Sequence, residues 1–295
     1  MSIFLTGATG YIGSAVLRQL RLQGRDVTAL VRTAENARRV EELGAVAVVG
    51  DITDTHTVSA LALASSGVIH TASPGDRTSH EVDSAFVTAV FAGLEGSGKP
   101  YVHTGGIWAF GSSPTITENS PPNPPELVAW RAGIEERVHR AHGVKTTVIA
   151  PGVAFGRGAG IPSMFTSGPY GAESTPAVQL VGDGSQHWTS VYVDDLGELY
   201  ILAFDLADGG TTYIAASGEN PSVREIGIAA ADGLGFHGAV RENSIEETYA
   251  RLGKPFTDAL LLDQQAVGSA ARIDLGWEPN GPTLLDDLRT GSYLK

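Results

Sequence analysis

Ile3-Phe4-Leu5-Thr6-Gly7-Ala8-Thr9-Gly10-Tyr11-Ile12-Gly13 is the stretch on which the fold turns. The apolar run at its start predicts a short buried strand, and the glycines at 7, 10 and 13 bend the chain into the periodic segment Ile12 to Leu22, which predicts a helix. The unpaired N–H groups and positive dipole end of a helix N-terminus attract anions, and a glycine-lined turn lets a pyrophosphate approach. Gly7, Thr9, Gly10, Tyr11 and Ile12 are therefore candidate cofactor contacts. The spacing is GxxGxxG, not the GxGxxG of the general dinucleotide fingerprint. A tight βα turn with no ligand would use the same residues.

Composition narrows the classes. A chain of 295 residues buries a large core in one large or two closely joined domains. Its net charge of −13, with no cluster of cations beyond Arg38-Arg39, excludes a nucleic-acid surface. The absence of cysteine excludes disulfides, thiolate catalysis and Cys-ligated zinc. No apolar run is long enough for a bilayer, and a strand starting at residue 3 leaves no room for a signal peptide, so a cytoplasmic protein is expected.

Val27 to Arg32 predicts a second strand, whose end meets the adenosine ribose in a dinucleotide fold. An acid there would accept from a 2′-hydroxyl; this chain has Arg32 and Thr33, with Arg38 and Arg39 following. A guanidinium pairs with a 2′-phosphate, which favours NADP(H) over NAD(H), whereas a solvated arginine is the plain alternative. Strands follow at Ala45–Val49, Val68–Ser73, Tyr101–Thr104 and Thr146–Ala150, separated by a helix toward Ala64 and helices at Glu81–Leu94 and Val128–Ala141. This alternation predicts an α/β fold, a Rossmann-type doubly wound parallel sheet. Ser112 to Pro125 carries five prolines and predicts a stiff loop bordering the site. Beyond Gly156 the regular pattern gives way to glycine-rich connections, a strand near Thr211–Ile214, and helices at Val223–Leu234, Ile245–Leu252 and Thr257–Val267. The expected division is a cofactor domain over 1–155, completed by parts of 189–215, and a mainly substrate-binding lobe over 156–295.

The segments TGATGYIG (6–13), GDITD (50–54), VIHTAS (68–73), HTGGIWAFG (103–111), APGVAFGRGAG (150–160), TSVYVDDLGELYILA (189–203) and ARIDLGWEP (271–279) together resemble the short-chain dehydrogenase/reductase superfamily. The resemblance is to its extended or atypical type, which includes sugar-nucleotide epimerases and dehydratases, and it covers nearly the whole chain. It implies a dinucleotide with Asp51 and Ile52 at the adenine, Thr71 and Ala72 at the linker to the nicotinamide ribose, and Pro151 to Val153 at the nicotinamide. It also implies a homodimer through the helices at 81–94 and 128–141, where Phe86, Val90, Phe91, Trp130, Ile134 and Val138 give apolar surface at helical spacing; a monomer is the alternative.

The catalytic segment departs from that family. Its chemistry uses Tyr-x-x-x-Lys on the helix after the fifth strand and a Ser or Thr at that strand's end. Here the helix carries Arg131 with Leu127 or Val128 at the tyrosine position, and Gly106 stands where the hydroxyl belongs, leaving Thr104 two residues earlier. Arg131 can steady charge on an oxygen but is a poor acid. Candidate replacements are Thr104, which could equally bond local backbone; His187, which could be a surface histidine; and Tyr192, followed by acids expected to cap a helix at Leu196–Phe204. Trp108, Phe110, Tyr170 and Trp188 are candidate substrate contacts, with core packing as the alternative for the aromatics. His139 and His142 lack a third ligand, so no metal is expected. The expected function is an NADP(H)-dependent oxidoreductase acting on a small carbonyl, imine or activated alkene. A sugar-nucleotide epimerase or dehydratase and a non-catalytic NADP(H)-binding sensor or scaffold are the alternatives.

Overall fold

The computed structural model describes residues 1–170 and 175–294. Seven parallel strands form the central sheet: β1 (Ile3–Thr6), β2 (Val27–Val31), β3 (Val46–Val49), β4 (Val68–His70), β5 (Pro100–Thr104), β6 (Lys145–Pro151) and β7 (Thr211–Ala215), in the spatial order 3-2-1-4-5-6-7. Phe4 lies beside Thr28 on one side and Val68 on the other, so the sheet reverses direction between β1 and β4. In open α/β sheets the crevice for a ligand opens at such a reversal, at the carboxyl ends of the strands.

Two helical layers cover the sheet because its strands are apolar on both faces. One face buries Leu17 and Leu20 of α1 (Tyr11–Leu22) with Leu199 and Tyr200 of α6 (Val193–Leu206). The other buries Val58 and Ala62 of α3 (Thr55–Ala64), Phe86 and Val90 of α4 (Ser79–Leu94), and Ile134 and Val138 of α5 (Arg131–His139). Phe86, Val90, Ile134 and Val138 are thus spent on the sheet, and only Phe91 and Trp130 of the stripe expected at a dimer interface stay half-buried. A third core joins Phe165, Trp188, Leu260 and Leu288 with Val223 and Ile226 of α7 (Val223–Gly233), whose start is fixed by a reciprocal Ser222–Glu225 capping box.

The strand near 211–214 lies in the main sheet, within the 189–215 region expected to complete the cofactor domain, pairing with β6 from Thr211↔Thr147 to Ala215↔Pro151. Several other expectations need revising. The helix expected over 128–141 is a short 3₁₀ turn at Glu126–Val128 followed by α5. The helix expected over Thr257–Val267 runs instead from Lys254 to Leu260, with Pro255 in its first turn. Gln264–Ala266 then pairs in parallel with Ser113–Ile116, inside the segment expected to be loop. Gln264 decides this: its side-chain amide donates to the carbonyls of Ile107 and Gly111, which pins the segment in extended form. Asp194 and Asp195 lie in the first turn of α6, which begins at Val193, not outside it. No described helix is long and apolar enough to cross a membrane.

Candidate cofactor and substrate site

The glycine loop has no space for side chains. Gly7 has a φ of 74°, and a Cβ there would stand 2.6 Å from Thr71 Oγ1; one on Gly13 would stand 2.1 Å from the Gly7 carbonyl oxygen. Thr71 closes the packing by donating to the Thr6 carbonyl at 2.8 Å, which locks the end of β4 against the loop. Gly10 begins α1 with no side-chain cap, so the helix's first N–H groups face the crevice. This is the close backbone approach that a pyrophosphate cradle requires.

Two adjoining cavities sharing Thr71 and Ser73 extend from the loop. The first, of about 520 Å³, is lined by Gly7, Thr9, Gly10, Arg32, Asp51, Ile52, Thr71 and Ala72 among others. The second, of about 350 Å³, is lined by Tyr11, Ile12, Pro151 and Val153, together with Thr104, Trp108 and Arg131. All twelve residues expected at the cofactor therefore line one or other of these two adjoining cavities, which together reach from the end of β2 to the ends of β5 and β6. At the β2 end Arg32 is exposed, and Asp51 accepts from the Thr53 N–H and hydroxyl at 2.8 and 2.7 Å. Those two bonds, with a smaller contribution from Arg32, hold the Asp51 carboxyl below the usual range. Tyr11 roofs the other end, its hydroxyl donating to the Gly156 carbonyl at 2.9 Å, and burial pushes its pKa up.

Of the four residues singled out for catalysis, two line the second cavity. Arg131 Nη1 donates to the Thr104 carbonyl at 3.0 Å while its guanidinium stacks 4.6 Å from the Trp130 ring. The Thr104 hydroxyl donates to the His70 carbonyl at 2.6 Å and so must accept from the Tyr200 hydroxyl at 2.7 Å. Its proton is therefore committed to the backbone. Tyr200 has no counterpart in the sequence reading, where it looks like one more apolar position of α6. Its partner lies 96 residues away in the chain, and nothing local announces it.

The others lie elsewhere. His187 pairs through Nδ1 with Asp263 at 2.9 Å and lines neither cavity. Tyr192 is clamped between Gly156 and Gly281, with its ring 5.6 Å from that of Phe155. Among the expected substrate contacts only Trp108 is in place, edge-on to Phe256 at 6.1 Å. Phe110 faces a separate cavity behind Ala109 and Val128. Trp188 is core, its indole N–H donating to the Leu260 carbonyl at 2.9 Å. Tyr170 packs on Phe236 and donates to the Thr166 carbonyl.

Beneath the cavities lies a polar network that the sequence reading missed. His70 Nε2 contacts Asp83 Oδ1 at 2.8 Å, His103 Nε2 stands 3.8 Å from Asp83 Oδ2, and the distal nitrogens bond Thr6 and Tyr101 hydroxyls at 2.7 and 2.8 Å. Among the described residues these three have the spacing of a metal-ligand set. The His70 side closes without an ion: with Nε2–H on His70 donating to an ionised Asp83, Nδ1 accepts from Thr6, a tautomer assigned from the bonding, whereas His103 Nε2 is buried with no hydrogen-bond partner. Burial pushes His103 down to about 3, so it stays neutral. Burial also raises Glu135, whose Oε1 has no partner, to about 7, although Arg131 opposes the shift.

Comparison with known proteins agrees with this geometry. The NAD(P)H-binding family matches residues 7–154, from the glycine loop to the strand after β6. The chain belongs to that family. An uncharacterised protein of Schizosaccharomyces pombe is 28% identical over the full length of both chains. The 4-hydroxy-2-methyl-3-oxo-4-farnesyl-3,4-dihydroquinoline-1-oxide ketoreductase of Stigmatella aurantiaca is 27% identical, over 97% of this chain and 89% of its own. A double mutant of a dTDP-glucose 4,6-dehydratase from Streptomyces venezuelae, solved with NAD bound, superposes with a TM-score of 0.79 at 21% identity, covering 99% of this chain and 96% of its own. The chain thus shares the Rossmann-type fold of that dehydratase.

Proposed function

We propose that the protein is an NADP(H)-dependent oxidoreductase that acts on a small carbonyl, imine or activated alkene. The observation that carries this reading is the second cavity, a compact and mainly apolar chamber on the nicotinamide side in which Arg131 and Thr104 are the polar groups of the catalytic strand and helix. When bound, the dinucleotide supplies the hydride. Arg131 is placed to hydrogen-bond a substrate oxygen and stabilise the charge that grows on it as its double bond opens. No His, Asp, Glu or Lys lines the cavity, so the proton to that oxygen comes from a lining hydroxyl or from water. Trp108, Ile107 and Ile161 limit the chamber and keep bulk solvent from the reacting face.

Arg32, exposed at the end of β2 on the lining of the first cavity, supports NADP(H) over NAD(H). Epimerisation or dehydration of a sugar nucleotide is less well supported. Those reactions begin by deprotonating an alcohol, and the cavity presents no base. A nucleoside diphosphate would also need cations, of which the lining holds one. Purified protein mixed with NADPH and a panel of aldehydes, ketones, imines and enones should lose reduced-nicotinamide absorbance. NADPH that binds yet is oxidised by none of them would favour the sensor or scaffold reading and sink this one.

A further inference from the structure

We propose that the substrate carries a carboxylate close to its reducible carbonyl and that Arg131 receives it; this rests on the second cavity being the substrate chamber. In a chain of net charge −13, none of the residues lining that cavity is acidic, and Arg131 is its one charge. Arg131 makes no ion pair among the described residues; its recorded contacts are the Thr104 carbonyl and the Trp130 ring. Those contacts fix the plane of the guanidinium and leave its remaining N–H groups for a ligand. A guanidinium held part-buried beside apolar walls gains most from an anion, and an oxo acid offers it one carboxylate oxygen and the neighbouring carbonyl oxygen side by side, so that the same fork of N–H groups holds the anion and steadies the charge growing on the carbonyl.

The nearest acids do not meet that need. Asp83 on α4 is turned to His70 and His103, and Glu135, one turn along α5, makes no bond with Arg131 and is held largely protonated below neutrality by burial. Nor do the cofactor's phosphates, whose cradle is the glycine loop in the other cavity. The remaining anion is the substrate's own. A chamber of about 350 Å³ that must also admit a nicotinamide leaves room for a compact molecule, so the class is a short oxo acid with an apolar side chain against Trp108 and Ile161.

Binding can be read without turnover. The protein saturated with NADP+ is titrated calorimetrically with 2-oxo acids from pyruvate to phenylpyruvate, each beside its methyl ester, which keeps the shape and removes the charge. At least one acid should bind about 10- to 100-fold tighter than its ester. Arg131→Met should abolish that preference and Arg131→Lys should keep part of it, with NADP+ affinity changed little in either. Equal affinity for acid and ester throughout, no binding of any acid, or a preference that survives in Arg131→Met would each overturn the proposal. A separate NADP+ titration distinguishes the failures: without cofactor binding the oxidoreductase reading falls too, whereas intact cofactor binding with no acid preference removes only the carboxylate.

Discussion

Replacing Arg32 tests the cofactor end most directly. A hydrogen bond to a charged partner contributes about 1.5–3 kcal/mol, and the exposure of Arg32 places it in the lower part of that range. Arg32→Ala should therefore weaken NADPH by about 10- to 30-fold and leave NADH within threefold. Arg32→Glu adds repulsion of about 1 kcal/mol at 4 Å in water and should reach about 100-fold. The wild-type preference for NADPH should shrink as salt rises, because exposed charges are screened over about 10 Å at 0.1 M. Titration of both reduced dinucleotides by the fluorescence of the bound nicotinamide, at low and high salt, reads all of this. If wild type binds NADH as tightly as NADPH, or Arg32→Ala weakens both alike, the assignment of Arg32 to a 2′-phosphate is wrong.

Gly13→Ala sets a methyl 2.1 Å from the Gly7 oxygen, so α1 must shift; expect a stability loss of about 2 kcal/mol or more and loss of NADPH binding, seen by thermal unfolding and titration. Tyr200→Phe removes the donor to Thr104 and should cost about 1 kcal/mol in denaturant unfolding, with a fall in kcat larger than any change in NADPH affinity; unaltered turnover would free Thr104 from the site. Glu135 has its folded pKa raised, so the folded state holds the extra proton. Stability from this group is full below about pH 4.5 and is lost as pH rises toward about 7, by up to about 3 kcal/mol. Glu135→Gln should flatten that part of the pH–stability curve, and an unchanged slope would place its pKa elsewhere.

What the sequence made legible were features whose signal is local. The glycine loop, the strand ends at Arg32, Asp51 and Thr71, and the strand–helix alternation follow from steric and periodic rules that act over a few residues. Two of the four catalytic candidates lie away from both cavities for the opposite reason. His187 and Tyr192 have suitable chemistry, but which way they point depends on Asp263 and Gly281, some 75 to 90 residues away. Tyr200, and the His70–Asp83–His103 network, draw their meaning from partners on other elements. Gln264–Ala266 read as helix because its composition does not reveal the carbonyls that its first side chain meets.

The seventh strand ties the cofactor half to the rest of the chain in time as well as in space. β6 is seven residues long and has β5 on one side; the other side stays open until β7 arrives some 60 residues later. At roughly 5–20 residues per second, a ribosome leaves that row of backbone donors and acceptors unpaired for several seconds. A fragment ending near residue 154 would leave it unpaired permanently, as a template for strand-to-strand aggregation. The dinucleotide-binding half should therefore resist being produced alone, however complete its cradle.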